Sequence, residues 1–159
     1  VIDIRQPTFE DILHVAKNLR IDDVKELSIT RDLAAPSSLA TAAWCAHYRR
    51  MAYLDGEPVF AFGVSNVTHD HGQAWGFGTS KSGRVTRAVT KYIKRTMVPE
   101  QLAAGLTAVQ ALGHPENETS WRWLEYLGFK PIANLAGIGA GGESLILWVT
   151  TADEYRAAA

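Results

Sequence analysis

The sequence predicts a single mixed α/β domain spanning residues 1–159, with a twisted, mostly antiparallel sheet, one central parallel strand pair and flanking helices. Three observations carry that expectation. Short runs that alternate apolar with polar residues recur along the chain, the period expected of strands. Two further strand-like runs, 73–79 and the doubly apolar 106–112, are separated by a helical stretch from Ser82 to about Ala104. A crossover of that length joins parallel strands, and does so right-handedly. Two further strand pairs have hairpin turns between them, one at Asp55-Gly56 and one at the glycine-rich run 137–143.

Taken in order, Ile2 and Ile4 alternate with charged neighbours and end at Pro7, a short first strand. Thr8 followed by Asp11 has the spacing of a capping box, and Ile12, Leu13, Ala16 and Leu19 continue it as a helical stripe. Residues 22–29 read as a second helix carrying Val24 and Leu27, and Pro36 opens a third. Cys45, beyond that helix, reads as a packed small apolar residue. Residues 49–54 and 59–64 pair around Asp55-Gly56, and 65–72 form a polar loop containing His69, Asp70 and His71. In 73–79, Trp75 and Phe77 alternate with Ala74, Gly76 and Gly78. Glycine inside a strand marks close approach by a ligand or by another backbone, and the pattern leaves both open. Val85, Val89, Tyr92, Ile93 and Met97 make the buried stripe of the crossover, which Pro99 divides. Strands at 132–136 and 145–150 close the order. The glycines of 137–143 are followed by a strand rather than a helix, so they form a hairpin loop and not a dinucleotide site.

Composition excludes several classes. With 47% hydrophobic and 21% charged residues the chain is an ordinary globular sequence, and its net charge of −1 gives no global attraction to nucleic acid or to an anionic membrane. One cysteine cannot form an internal disulfide. No apolar run approaches the ~20 residues of a membrane span, and the amino end lacks a charged-then-apolar signal pattern. Metal ligands are not expected, because the His69-Asp70-His71 cluster has no closely spaced companions.

The most strongly determined stretch runs from Leu106 to Ile132. A strand apolar on both faces is broken by Gly113 and Pro115, and Asn117 or Thr119 can then cap a helix. Trp121, Trp123, Leu124 and Leu127 give that helix a broad apolar face, and Gly128 stands where a left-handed cap belongs. The segment N-E-T-S-W-R-W-L-E-Y-L-G-F resembles the last conserved block of the GCN5-related N-acetyltransferase (GNAT) fold, matching it at Asn117, Ser120, Gly128 and Phe129. The order of elements resembles that fold along nearly the whole chain.

The resemblance implies a ternary reaction in which an amine attacks an acetyl thioester, with acyl-CoA lying between parted parallel strands. It implies a pyrophosphate loop of pattern Q/R-x-x-G-x-G/A. Here the loop reads S-K-S-G-R-V-T-R-A, so Ser80 and Val85 depart from the pattern, and branched Val85 is expected to crowd a phosphate. The resemblance also implies a tyrosine as general acid at the position of Leu124, which has no proton to give. Tyr126 lies about 200° further around the helix. Asp70, His69, His71, Glu57 and His47 are candidate bases that no spacing separates.

W-G-F-G-T, the basic crossover helix and the Gly-Phe block together resemble an acetyltransferase-like family of short-tailed phages that includes internal virion protein A. That resemblance implies a non-catalytic, phage-encoded member of the fold, acting through protein contacts as a virion structural or assembly component in the host cytoplasm or virion, with no cofactor. Arg84, Arg87 and Lys91 would then meet an acidic partner, unless the stripe is only a solvated face. The alternative is an acetyl-CoA-dependent N-acetyltransferase with an atypical phosphate loop. Its cofactor would be held by Lys81, Ser82, Gly83, Arg84 and Asn117, with Gly76 and Gly78 leaving room for the pantetheine arm.

Overall fold

Strands form where the period-two pattern lies. β1 (Ile2–Arg5), β2 (Tyr48–Leu54), β3 (Glu57–Asn66) and β4 (His71–Gly78) precede the crossover, and β5 (Ala108–Gly113), β6 (Lys130–Leu135) and β7 (Leu145–Thr151) follow it. The computed structural model, which describes residues 1–158, joins them into one seven-stranded sheet of order β1-β2-β3-β4-β5-β7-β6. Only β4 and β5 run parallel, and every other pair is antiparallel. The fold class expected from the sequence is the one observed. The β2–β3 turn places Asp55 and Gly56 at φ 50° and 85°, conformations that favour this Asp-Gly pair. The loop expected at 65–72 is shorter, because β3 reaches Asn66 and β4 begins at His71.

Two cores sandwich the sheet. On one face Met51, Tyr53, Ala61 and Phe77 pack under α1 (Phe9–Lys17) and α3 (Pro36–Trp44). The capping box of α1 is present, with Thr8 Oγ1 accepting from the Asp11 N–H and Asp11 accepting from the Thr8 N–H. On the other face Phe60, Phe62, Val64, Val109 and Trp148 pack under the crossover helix and α6 (Glu118–Tyr126). Each fully buried side chain of this size is worth about 1.5–3 kcal/mol. Cys45 is exposed, contrary to expectation. It falls at the carboxyl cap of α3, beyond the turn whose Ala40 and Ala43 face the core.

The crossover is a 3-10 turn (Ser82–Arg84), α4 (Thr86–Tyr92), a widened π turn (Ile93–Met97) and α5 (Val98–Ala103) without a break. Pro99 does not divide it. Proline lacks an N–H and its ring clashes with the carbonyl four residues back, and the wide turn immediately before Pro99 relieves both. Val85, Val89, Ile93 and Met97 are buried at a strict four-residue spacing, which outruns a regular helix by about 40° per step. The wide turn absorbs that drift and keeps Gln101 buried too. A helix not expected from the sequence, α7 (Ala152–Ala158), ends the described chain, tied by Tyr155 Oη to the Lys94 carbonyl at 2.6 Å.

Candidate functional site

The site begins where the parallel pair separates. β4 and β5 share three rungs, His71–Ala108, Gly72–Val109 and Gln73–Gln110, and then part. The last rung is stitched by side chains, with Gln110 Nε2 donating to Gln73 Oε1 at 3.0 Å and Gln110 Oε1 lying 3.0 Å from His71 Nε2. The Thr79 N–H donates to the Val59 carbonyl, so odd-numbered residues of β4 face β3, and Gly76 and Gly78 turn their N–H and C=O to the parted edge. Gly78 is paired there: its N–H donates to Asp23 Oδ2 at 2.7 Å and its C=O accepts from the Arg20 N–H at 2.8 Å. At Gly76 the edge is open, because β5 no longer runs beside it.

A cavity of about 250 Å³ fills the parting, with Gly76, Val109 and Ala111 in its walls, Val89 and Ile93 in its roof and Thr150 in its lining. Thr150 is buried, and its Oγ1 has no partner. At the amino end of the crossover the amides of Gly83, Thr86, Arg87 and Ala88 donate to no carbonyl, so the turn presents free N–H groups of the kind that can meet an anion. Gly83 has open space where a Cβ would stand, and its φ is not positive. Nothing inside the protein requires glycine there. Val85, expected to crowd a phosphate, is wholly buried in the core and lines the first cavity.

The helix α2 (Ile21–Leu27) turns Asp23 and Glu26 inward and leaves Asp22 exposed. Val24, expected in its stripe, is 41% exposed while Asp23 is 7% exposed. The reason lies in the sheet, where the parted edge leaves the N–H of Gly78 without a strand partner and a carboxylate supplies one. Asp23 Oδ2 also accepts from Arg20 Nε at 2.8 Å, and Arg20 Nη1 donates to Ser82 Oγ at 2.9 Å. These bonds clamp α2 across the mouth of the cavity. One turn on, Glu26 Oε2 accepts from Asn117 Nδ2 at 3.1 Å. Burial raises both carboxyls above their ordinary values, outweighing the opposing pull of Arg20 on Asp23 and of the Asn117 hydrogen bond on Glu26.

A second cavity, about 310 Å³, lies on the α1–α3 face of the sheet. Glu26, Ala74, Trp75, Gly76 and Leu112 line both cavities. The two therefore meet at the parting, and Glu26 stands at their junction.

Gly78 is buried against Phe60 and Ser82, so its missing side chain makes room for protein atoms rather than for an arm of a ligand. Lys81 is paired with Glu57. Ser82 is buried under Arg20, and Arg84, Arg87 and Lys91 are exposed, with no ion pair among the described residues. Asn117 caps α6, accepting from the Ser120 N–H at 3.2 Å, and lines the first cavity. Leu124 is buried in that cavity's wall, while Tyr126 is 65% exposed and faces away. None of the candidate bases Asp70, His69, His71, Glu57 and His47 lines either cavity. Glu26, which does, was not singled out by any sequence pattern.

A sheet whose central parallel pair parts over a helix-roofed cavity, with the Gly-Phe helix beside it, is the fold of the GNAT acetyltransferases. Among solved structures the chain is similar to a GNAT-family acetyltransferase from Bacillus anthracis, at TM-score 0.69 and 14% identity over 94% of each chain. It is similar to RimJ from Mycobacterium smegmatis in complex with CoA-disulfide, at TM-score 0.66 and 20% identity, covering 97% of this chain and 83% of that one. A third is the aminoglycoside acetyltransferase AAC(6')-Ib in complex with coenzyme A, at TM-score 0.68 and 16% identity, covering 99% and 98%. No protein-family model matches the sequence, and no curated protein matches it significantly. The resemblance to phage virion proteins finds no support in these comparisons, and neither does the expectation that no cofactor is bound. No helix among the described residues is long and apolar enough to cross a membrane.

Proposed function

We propose that the protein is an acetyl-CoA-dependent N-acetyltransferase. The observation that carries this reading is the open edge of β4 at Gly76, facing a cavity whose lining reaches Ser82 and Thr86, beside the unpaired amides of the crossover's first turn. An amide-bearing arm would add to that edge as a strand does. Its diphosphate would rest on the N–H groups of Gly83, Thr86 and Arg87, with the exposed Arg84 and Arg87 guanidiniums adding charge. Neighbours of the same fold that carry coenzyme A or CoA-disulfide support the choice of cofactor.

When bound, the cofactor would supply an acetyl thioester for transfer to the acceptor nitrogen, with the thiolate as leaving group. The chain's own groups handle the protons. Glu26, at the junction of the cavities, takes the proton of the acceptor's ammonium, and its raised carboxyl lies nearer the value a general base needs. With leucine at position 124, Ser120 is the hydroxyl that α6 offers one turn earlier on the same face, and it lines the cavity. Its hydroxyl is placed to hydrogen-bond the departing thiolate, which takes up the proton that the acceptor nitrogen releases as the C–N bond forms.

Thermal unfolding with and without CoA tests the cofactor site. Binding to the folded state alone stabilises it by RT ln(1 + [L]/Kd), about 2.7 kcal/mol at a hundredfold excess. No shift at millimolar CoA would refute the assignment.

A further inference from the structure

The cavity on the α1–α3 face has its own chemistry, and we infer that it seats a small apolar amino acid as acetyl acceptor, with the amine at Glu26 and the carboxylate at Arg31. The transfer step rests on the acetyltransferase reading, whereas the binding pocket stands on its own lining.

Size comes first. At about 310 Å³ the chamber is at the lower end of small-molecule pockets. Charge comes second. Glu26 is its one acid and Arg31 its one base. Arg31 follows α2 in a continuing turn, its N–H donating to the Leu27 carbonyl. It has no ion pair among the described residues and is free to take a carboxylate in a two-pronged bond. A polyamine or aminoglycoside would bring several ammonium groups to a wall with a single carboxylate, leaving charges desolvated and unpaired. One amine and one carboxylate match the inventory.

Shape and polarity come third. Leu27, Leu39, Phe77 and Leu145 supply an apolar wall that suits an aliphatic or aromatic side chain. In the same wall Trp75 Nε1 is buried without a partner. Buried donors are almost always satisfied, and a ligand carboxylate would provide the missing acceptor atom. The amine then lies at Glu26, one of the residues that this chamber shares with the first cavity at the parting.

Calorimetric titration of L-leucine, leucinamide, isoamylamine and spermidine, with and without CoA, tests this. L-leucine should bind at least tenfold more tightly than leucinamide or isoamylamine, and spermidine should show no binding. Arg31→Ala should erase the preference for leucine over leucinamide and leave the CoA Kd unchanged. Glu26→Gln keeps an acceptor for Asn117 and should weaken all the amines alike. Spermidine binding as tightly as leucine, or an Arg31→Ala variant that keeps the preference, would overturn the inference. If leucine binds through Arg31 and CoA does not bind, the acetyltransferase reading fails and the pocket stands. If CoA binds and leucine does not, the reverse holds.

Discussion

Gly78 and Gly83 should respond to the same substitution in opposite ways. A Cβ at Gly78 would lie 2.7 Å from Phe60 Cδ2, 2.7 Å from Ser82 Cβ and 2.9 Å from the Val59 carbonyl oxygen. The phenyl ring could swing aside. The other two atoms belong to a strand and to the tight turn at Ser82, so the backbone must shift. Overpacking of this kind costs about 1–3 kcal/mol, or a fall in Tm of roughly 4–8 °C at the middle of that range for a domain of this size. Gly83→Ala meets no atom within 4 Å and needs no left-handed backbone. Its stability should stay within about 0.5 kcal/mol of wild type. The methyl group would instead stand where a diphosphate approaches the amides, and CoA affinity should fall at least tenfold, about 1.4 kcal/mol. Differential scanning calorimetry of both variants, each with and without CoA, separates the effects. A Gly83→Ala variant that CoA stabilises as strongly as wild type would refute the phosphate cradle.

Charge and pH supply two further tests. Reversing Arg84 and Arg87 to Glu should weaken CoA binding and flatten its dependence on salt, as read by titration at several ionic strengths. Equal affinity would leave that face merely solvated. Burial holds the Glu26 carboxyl above its ordinary 4.5, so the folded protein keeps this proton where the unfolded chain has lost it. The group's contribution to stability is therefore fullest below the unfolded value and is lost as pH rises through the folded one. The base form exists only above the folded value. Acetyl transfer should accordingly rise with pH through it, and Glu26→Gln should lose that limb while gaining stability relative to wild type from pH 4 to pH 7.

The parts of this molecule that could be read in advance are those whose causes are local. Thr8 and Asp11 cap α1 as their spacing requires, and Gly128, at φ 95°, ends α6 and lets the Phe129 N–H reach the Leu124 carbonyl. The position of the crossover implied the parallel pair. The site was harder to read because its causes are distant. Glu26 and Asn117 stand 91 residues apart in the chain, and an acid at a helical position normally signals solvent rather than a cavity. Val24 followed the apolar pattern and still faced outward, since the free N–H of Gly78 outranked a valine's burial in deciding how α2 turns.

The crossover helix stores spare length in its wide turn at Ile93–Met97. A deletion of one residue there could be taken up by tightening to ordinary helical pitch, which leaves α5 on its present face. The same deletion within Thr86–Tyr92 would rotate everything beyond it by about 100°, carrying Gln101 away from His47, 2.7 Å off at present, and lifting Met97 out of the core. Changes of length in this helix should therefore be tolerated beside the proline and nowhere nearer its amino end.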